Sequence, residues 1–165
     1  MAASFSLTGS LRVVPRWTDE LNTTTVTDTA TANLAFTLAN GTGDDQADGY
    51  HKDVLTIAAG GTATVDLRAL TLTIMGGTGT LSLAKVKTLL VKNRSATASL
   101  SVGGTTSNRW TALAAGATTV GPDGALYVSH PKGGYATTAS DKVIAITNNG
   151  AAAADVEIYI VGVKS

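Results

Sequence analysis

Short runs in which apolar and polar residues alternate recur along the chain, and turn residues separate them at intervals of roughly 8–15 residues. In one such run Val156, Ile158 and Ile160 occupy every second position, and Ile144 and Ile146 do the same in another. Because side chains on a strand alternate between its two faces, this period of two marks strands with one buried face. The sequence therefore predicts an all-β fold, most simply a single antiparallel β-sandwich.

Glycine-containing turns separate two pairs of predicted strands. Asn149 and Gly150 form a dipeptide that tolerates positive φ angles and is frequent in tight turns, and Gly60 and Gly61 lie in the other connection. The sequence predicts two hairpins, one joining residues 54–57 to 63–67 and the other joining residues 142–146 to 156–160.

The longest apolar-rich run extends from residue 80 to residue 92, and its apolar positions change phase part way along. A change of phase within a strand is typical of a β-bulge, which we place near Ala84 or Lys85. A short helix is the alternative, because the apolar residues between 86 and 90 also fit helical spacing.

Length and composition favour one domain with an N-terminal extension. The chain has 165 residues, of which 44% are hydrophobic, enough to enclose one core. Residues 1–31 are predicted to form a first strand and a polar arm, and residues 32–165 the sandwich body. The stretch 19–31 is rich in Thr and has little to bury, so we expect an extended arm or surface loop that is ordered against a partner.

The net charge limits the classes of partner that the protein can bind. Twelve Lys and Arg residues match twelve Asp and Glu residues, which argues against nucleic acid and against a polybasic membrane anchor. The absence of Cys excludes disulfides and thiolate zinc sites. Neither a signal peptide nor an apolar stretch long enough for a membrane helix is present, so we expect a protein made in a cytoplasm.

The sequence contains no motif for catalysis. A metal site or a catalytic triad would need His51 and His130 to converge with a carboxylate in space, and no sequence pattern indicates this, so we expect both at the surface or at strand ends. The loop Asp44–Asp48 has oxygen ligands at alternate positions, as a calcium loop does, but Leu55 stands where the bidentate Glu should be. We therefore predict no enzyme, no cofactor and no metal site; cation binding by this loop stays open.

Arg and Trp are frequent at the centres of protein interfaces, which makes two groups candidates for partner binding. Trp110 has an alternative role, since a Trp can also close the open end of a sandwich. The candidates are Arg12, Arg16, Trp17 and Leu21 in the arm, and Arg109 with Trp110 in the body.

Several segments between residues 33 and 163 give the chain a pattern that resembles small virion proteins of tailed bacteriophages. The segments are Asn40 to Asp48, Leu55 to Gly60, Val65 to Leu67, Val86 to Asn93, Val102 to Gly104 with Trp110, Gly124 to Leu126, Gly133 to Ala136, Asp141 to Ile144, Asn148, and Val156 to Gly162.

The resemblance implies a jelly-roll-like sandwich that acts as a capsid decoration, or cement, protein. Proteins of this kind form homotrimers on the capsid surface of the virion and brace the major capsid protein. A tail component or a receptor-binding, carbohydrate-binding module is the alternative function. The resemblance carries over no binding residue and does not separate head from tail.

Overall fold

The strands of the chain cover most of the residues that the computed structural model describes, which are 6–13, 16–21, 24–29, 32–74, 77–104, 106–113 and 116–165. In chain order these strands are β1 (Leu7–Val13), β2 (Arg16–Leu21), β3 (Thr24–Thr29), β4 (Ala32–Asn40), β5 (Gln46–Ala47), β6 (Gly49–Ile57), β7 (Thr62–Asp66), β8 (Leu70–Ile74), β9 (Gly77–Leu81), β10 (Leu83–Asn93), β11 (Leu100–Val102), β12 (Thr118–Val120), β13 (Ala125–Ser129), β14 (Tyr135–Ala136), β15 (Val143–Asn148) and β16 (Ala154–Lys164).

Two antiparallel sheets form the body. The front sheet has the strand order β13-β10-β16-β6, with β14 also paired to β10, and the back sheet has the order β12-β11-β15-β7. Counting only these eight strands along the chain, the front order is 1-8-3-6 from its β6 edge and the back order is 2-7-4-5 from its β7 edge. This is the strand arrangement of a jelly roll, so the predicted all-β sandwich is confirmed.

The two predicted hairpins are wrong, because each of these turns carries the chain from one sheet to the other. β6 pairs with β16 in the front sheet, while β7 pairs with β15 in the back sheet. Buried apolar residues from all four strands belong to one shared core, which requires the strands to stack across it. An Asn-Gly turn marks where a strand ends but leaves open which sheet the chain enters next.

Two buried asparagines hold these crossings in place. At the end of β15, Asn148 Nδ2 lies 3.0, 3.1 and 2.8 Å from the carbonyl oxygens of Ile57, Ala58 and Ala152. At the end of β10, Asn93 Nδ2 donates to the carbonyl oxygen of Ala98, in the loop before β11, at 2.7 Å and to that of Gly121, in the turn after β12, at 2.9 Å. Both side chains are fully buried, and they supply donors to carbonyl groups at strand ends and in turns.

The core occupies the space between the two sheets, and β10 and β16 contribute four buried residues each to it. Along β10 the pairing with β16 shifts register twice, between Leu83 and Lys85 and between Val86 and Thr88. The first irregularity falls at the predicted position of the bulge, which confirms the strand prediction and removes the helical alternative.

The N-terminal region forms a two-stranded ribbon, not a loop. In the β1–β4 ladder Leu7 lies opposite Leu38, and in the β2–β3 ladder Leu21 lies opposite Thr24. The residue numbers of two paired residues add up to 45 in both ladders, so β2 and β3 continue the register of β1 and β4. Of the extended arm and the surface loop predicted for residues 19–31, β2 and β3 therefore agree with the extended arm, and β-branched Thr residues favour such pairing.

Candidate functional site

A concave surface lies where the base of the ribbon crosses the outer face of the front sheet. This aromatic cleft has a volume of about 650 Å³. Its apolar lining includes Leu7, Phe36, Tyr50, Leu90, Tyr127 and Tyr159. Aromatic and aliphatic side chains that remain partly exposed in such a cleft are typical of a contact surface.

One wall of the cleft comes from the base of the ribbon. Gly9 lies directly opposite Phe36 in the β1–β4 ladder, and a Cβ at Gly9 would overlap the Phe36 ring. The ring therefore lies across the glycine and stacks on Tyr127, with the two ring centroids 6.5 Å apart. Leu38 anchors the same ribbon, since it is fully buried together with Ala47 and Val161.

The floor of the cleft is the outer face of the front sheet. Leu90 pairs with Tyr127 on one side and with Tyr159 on the other, and alternation puts all three on the face away from the core. Tyr50 lies opposite Val161 on the neighbouring strand and is 43% exposed. The sheet thus presents a row of tyrosines that the ribbon covers only in part.

Few polar groups enter the cleft. Thr88 Oγ1 is buried there without a hydrogen-bond partner among the described residues. At the rim, Tyr159 donates a 2.5 Å hydrogen bond to Glu157, which lowers the pKa of that carboxyl, and Lys52 Nζ lies 3.6 Å from the same carboxylate oxygen. The charged groups are therefore at the edge, and the interior of the cleft is mainly apolar, with the Thr88 hydroxyl as a buried polar group.

A buried lysine braces the loops beside the cleft. Lys87 is 1% exposed, and its Nζ donates to the carbonyl oxygens of Gly43, at 3.0 Å, and of Lys132. Burial lowers its pKa, and the nearby Asp44 carboxylate opposes that shift. Lys87 therefore ties the β4–β5 loop to the loop after β13, and both loops border the ribbon base.

Two side-chain oxygen atoms of the acidic loop, residues 44–48, accept hydrogen bonds from the protein backbone. Gln46 Oε1 accepts from the backbone N–H of Gly43 at 2.9 Å, and Asp48 Oδ1 accepts from the N–H of Lys164 at 2.8 Å. Within the described ranges no group of three or more His, Cys, Asp or Glu residues is arranged to hold a metal ion.

The predicted partner-binding residues fall in two separate places. Arg12 lies in β1, and Arg16, Trp17 and Leu21 lie in β2, so all four belong to the ribbon. Arg109 is half-buried and forms an isolated parallel bridge with Val143.

Trp110 is fully buried. Its Nε1 donates to the carbonyl oxygen of Ala136 at 3.0 Å, and its ring meets Tyr135 edge-on at 5.8 Å. This is the alternative role considered above, a Trp that closes the end of the sandwich. A side chain with no exposed surface offers a partner nothing to contact.

The two histidines lie in different settings. His130 is exposed just after β13 and packs edge-on against Tyr135. His51, expected at the surface or a strand end, instead lies within β6 and is 6% exposed, and its Nδ1 has no hydrogen-bond partner among the described residues. Burial lowers the pKa of His51, while the Asp53 carboxylate raises it in part.

We expect the stability of the protein to fall as the pH drops below about 6.5, the ordinary pKa of His, because the unfolded chain binds a proton at His51 that the folded chain resists. Since one proton is involved, this contribution changes by at most about 1.4 kcal/mol per pH unit. Urea unfolding at pH 7 and pH 5 should show a smaller loss for His51→Phe than for the unaltered chain. His130→Phe is the matched control, and an equal loss in all three proteins would contradict the role of His51.

No protein-family model, no curated protein and no solved structure matches this chain. The part of the chain that the structure describes contains no helix that could cross a membrane. Sequence reasoning missed the aromatic cleft, although the alternation of Tyr127, Tyr159 and Tyr50 with core residues on three strands was a signal for it.

Proposed function

We propose that this chain is a non-enzymatic structural protein of a tailed-phage virion, which binds the capsid surface as a decoration protein. The observation that carries the proposal is the N-terminal ribbon. β2 and β3 pair with each other and, among the described strands, with no strand of the body. A two-stranded hairpin alone is marginally stable in water, so such a ribbon gains order from a partner.

The rigid body of the protein supports the same function. Its two sheets enclose a continuous apolar core, and buried Asn93 and Asn148 tie the crossings between them. A rigid unit of this kind can bridge neighbouring shell subunits and favour the assembled state by mass action. In this proposal the major capsid protein is the partner, the protein forms homotrimers, and the virion surface is its location.

Shortening the ribbon tests the proposal. Val13 and Ala32 lie directly opposite each other, so replacing residues 14–31 with Asn-Gly would join them through a two-residue turn. We expect this variant to keep the far-UV circular dichroism and urea midpoint of the full chain and to lose co-sedimentation with capsids that lack the protein. The full chain should bind the same capsids at a fixed ratio to the major capsid protein.

The control for this experiment is a second variant in which Thr18 and Thr27, an opposite pair in the β2–β3 ladder, are both replaced by Val. This change keeps the ribbon and its pairing, and capsid binding should persist. Failure of the full chain to co-sediment with capsids would reject the proposal, and so would undiminished binding by the shortened variant.

A tail component that binds a receptor carbohydrate is the second candidate. The observation that favours it is the row of Tyr50, Tyr127 and Tyr159, because aromatic faces can stack on sugar rings. A glycan array with the full chain and immuno-electron microscopy of virions separate the two functions. Glycan binding abolished by Tyr127→Ser, with label on the tail, would favour this candidate over capsid decoration.

A further inference from the structure

We propose that the aromatic cleft binds a small, neutral, aromatic molecule that carries one hydrogen-bonding group, and that this group pairs with the hydroxyl of Thr88. The inference concerns a ligand site and does not depend on capsid binding. The cleft has a volume of about 650 Å³, and small-molecule sites usually measure about 300–1,000 Å³. Its lining combines many apolar side chains with few polar ones, which is also the usual composition of such sites.

The rings that line the cleft favour an aromatic ligand over an alkyl chain. Four of the described lining side chains are aromatic, and they come from the ribbon base and from three strands of the front sheet: Phe36, Tyr50, Tyr127 and Tyr159. Phe36 and Tyr127 already stack, with an angle of 23° between the ring planes. A further ring in offset or edge-on contact with such rings gains more than its buried area alone provides.

The charges around the cleft favour a neutral ligand. No Asp, Glu, Lys or Arg is among the described residues that line it. At the rim, the Glu157 carboxylate accepts a hydrogen bond from Tyr159, and Lys52 Nζ lies 3.6 Å from the same carboxylate, so these charges are already paired. A charged ligand would lose its hydration in the apolar interior without gaining a partner of opposite charge.

Thr88 supplies the polar contact inside the cleft. The residue is 7% exposed, and its Oγ1 is buried without a hydrogen-bond partner among the described residues. A buried hydroxyl without a partner costs free energy that a hydrogen bond to a ligand recovers. Rotation about χ1 exchanges the hydroxyl with the methyl group, so the hydroxyl can turn towards a ligand in the cleft that Thr88 lines. Because a hydroxyl both donates and accepts, the ligand group can be a hydroxyl, an amide or a carbonyl.

A sugar fits the same lining less well. Each hydroxyl group of a sugar needs a hydrogen-bond partner where it is buried. Besides Thr88, the described lining offers Ser6 and Ser10, which are exposed, and the tyrosine hydroxyls, of which that of Tyr159 is engaged by Glu157. An aromatic molecule with one polar group needs only one buried partner, which is what the cleft provides.

The neighbouring strand offers a matched control residue. Ser129 lies opposite Thr88 in the β10–β13 ladder and therefore on the same face of the sheet. Its Oγ is also buried without a partner among the described residues. Ser129 lines a separate depression together with Pro131 and Lys132, and is not among the residues that line the cleft. The two hydroxyls thus share one environment, but only that of Thr88 borders the proposed site.

Equilibrium dialysis of the full chain against 2-naphthol and naphthalene tests the role of Thr88, because the two probes differ only by a hydroxyl group. We expect 2-naphthol to bind with a Kd below about 1 mM and naphthalene to bind about fivefold more weakly. Thr88→Val keeps the branched shape and removes the hydroxyl, so it should weaken 2-naphthol binding about fivefold and leave naphthalene binding unchanged. Ser129→Ala should change neither.

A second pair of variants locates the site. Tyr50→Ser removes a lining ring that is 43% exposed and should weaken the binding of both probes by about fivefold or more. Val54→Ser is the matched control, because Val54 lies on the same strand and face, is 44% exposed and is not among the lining residues. Urea midpoints check the folding of each variant, and that of Thr88→Val should stay the same or rise, since an unpaired buried hydroxyl is lost.

Three results would overturn the inference. The first is a full chain to which 2-naphthol does not bind at roughly 1 mM. The second is equal binding of 2-naphthol and naphthalene, or an equal effect of Thr88→Val on both, which would remove the hydrogen bond. The third is 2-naphthol binding that Tyr50→Ser leaves unchanged, which would place the probe elsewhere. A chain that binds 2-naphthol as expected but does not co-sediment with capsids would reject the proposed function and leave this inference standing.

Discussion

Replacing Asn148 with Ala is expected to lower the free energy of unfolding by about 3–4 kcal/mol. The side chain is fully buried and serves three carbonyl oxygens, those of Ile57, Ala58 and Ala152, while its Oδ1 accepts from the Gly150 N–H at 2.9 Å. Truncation leaves the buried Ile57 carbonyl without its side-chain donor and the Gly150 N–H without its acceptor, while Ala58 keeps the N–H of Gly61 at 2.9 Å; each buried group left unsatisfied costs about 1–3 kcal/mol. Urea unfolding monitored by tryptophan fluorescence measures the change.

The next residue is the matched control. Asn149 is exposed, and its Nδ2 makes a hydrogen bond to Ser101 Oγ at the surface, so Asn149→Ala should change stability by less than about 0.5 kcal/mol. Asn148→Asp separates the two functions of the side chain, because it keeps the acceptor for Gly150 and loses the donors. Equal stability of N148A and N149A would show that the crossings do not depend on this side chain.

The strands of the body could be predicted from the sequence because their cause is local. Alternation in β15 and β16 reports which residues face the core, and the phase change along β10 reports its bulge. The pairing of strands has no such local signal. β7 and β16 each follow a glycine-containing turn, and a period of two is the same whether the next strand joins the same sheet or the opposite one.

The alternation of Tyr50, Tyr127 and Tyr159 with core residues indicates an outward-facing row of tyrosines, but the cleft itself could not be predicted because it depends on where the ribbon lies. Its wall forms when Phe36 crosses Gly9 and meets Tyr127, three residues from distant parts of the chain. The structural role of Asn148 could not be predicted for a related reason, since an Asn before Asn-Gly has the pattern of an exposed turn residue. Only the convergence of two crossings on one side chain gives it a structural role.

Trp110 gives the second large effect expected, since Trp110→Ala should lower the free energy of unfolding by about 3–5 kcal/mol. Its backbone N–H donates to Val143 in the back sheet at 2.9 Å, and its Nε1 donates to Ala136, next to the front sheet, at 3.0 Å. Its fully buried ring fills the space between these two contacts. The change therefore opens a cavity at one end of the core and releases a link between the sheets, which urea unfolding followed by circular dichroism measures.

Two further substitutions separate packing, hydrogen bonding and partner contact at this position. Trp110→Phe keeps an aromatic ring but removes the donor to Ala136, and a loss of about 1–2 kcal/mol is expected. Arg109→Ala, at the half-buried neighbour, should stay within about 0.5 kcal/mol of the unaltered chain. If W110A instead kept full stability and lost only its binding to capsids, Trp110 would be a contact residue and not a part of the core. A side chain without exposed surface can contact a partner only after the fold has opened. A loss of stability in W110A therefore indicates a core role, and a loss of capsid binding at full stability indicates a contact role.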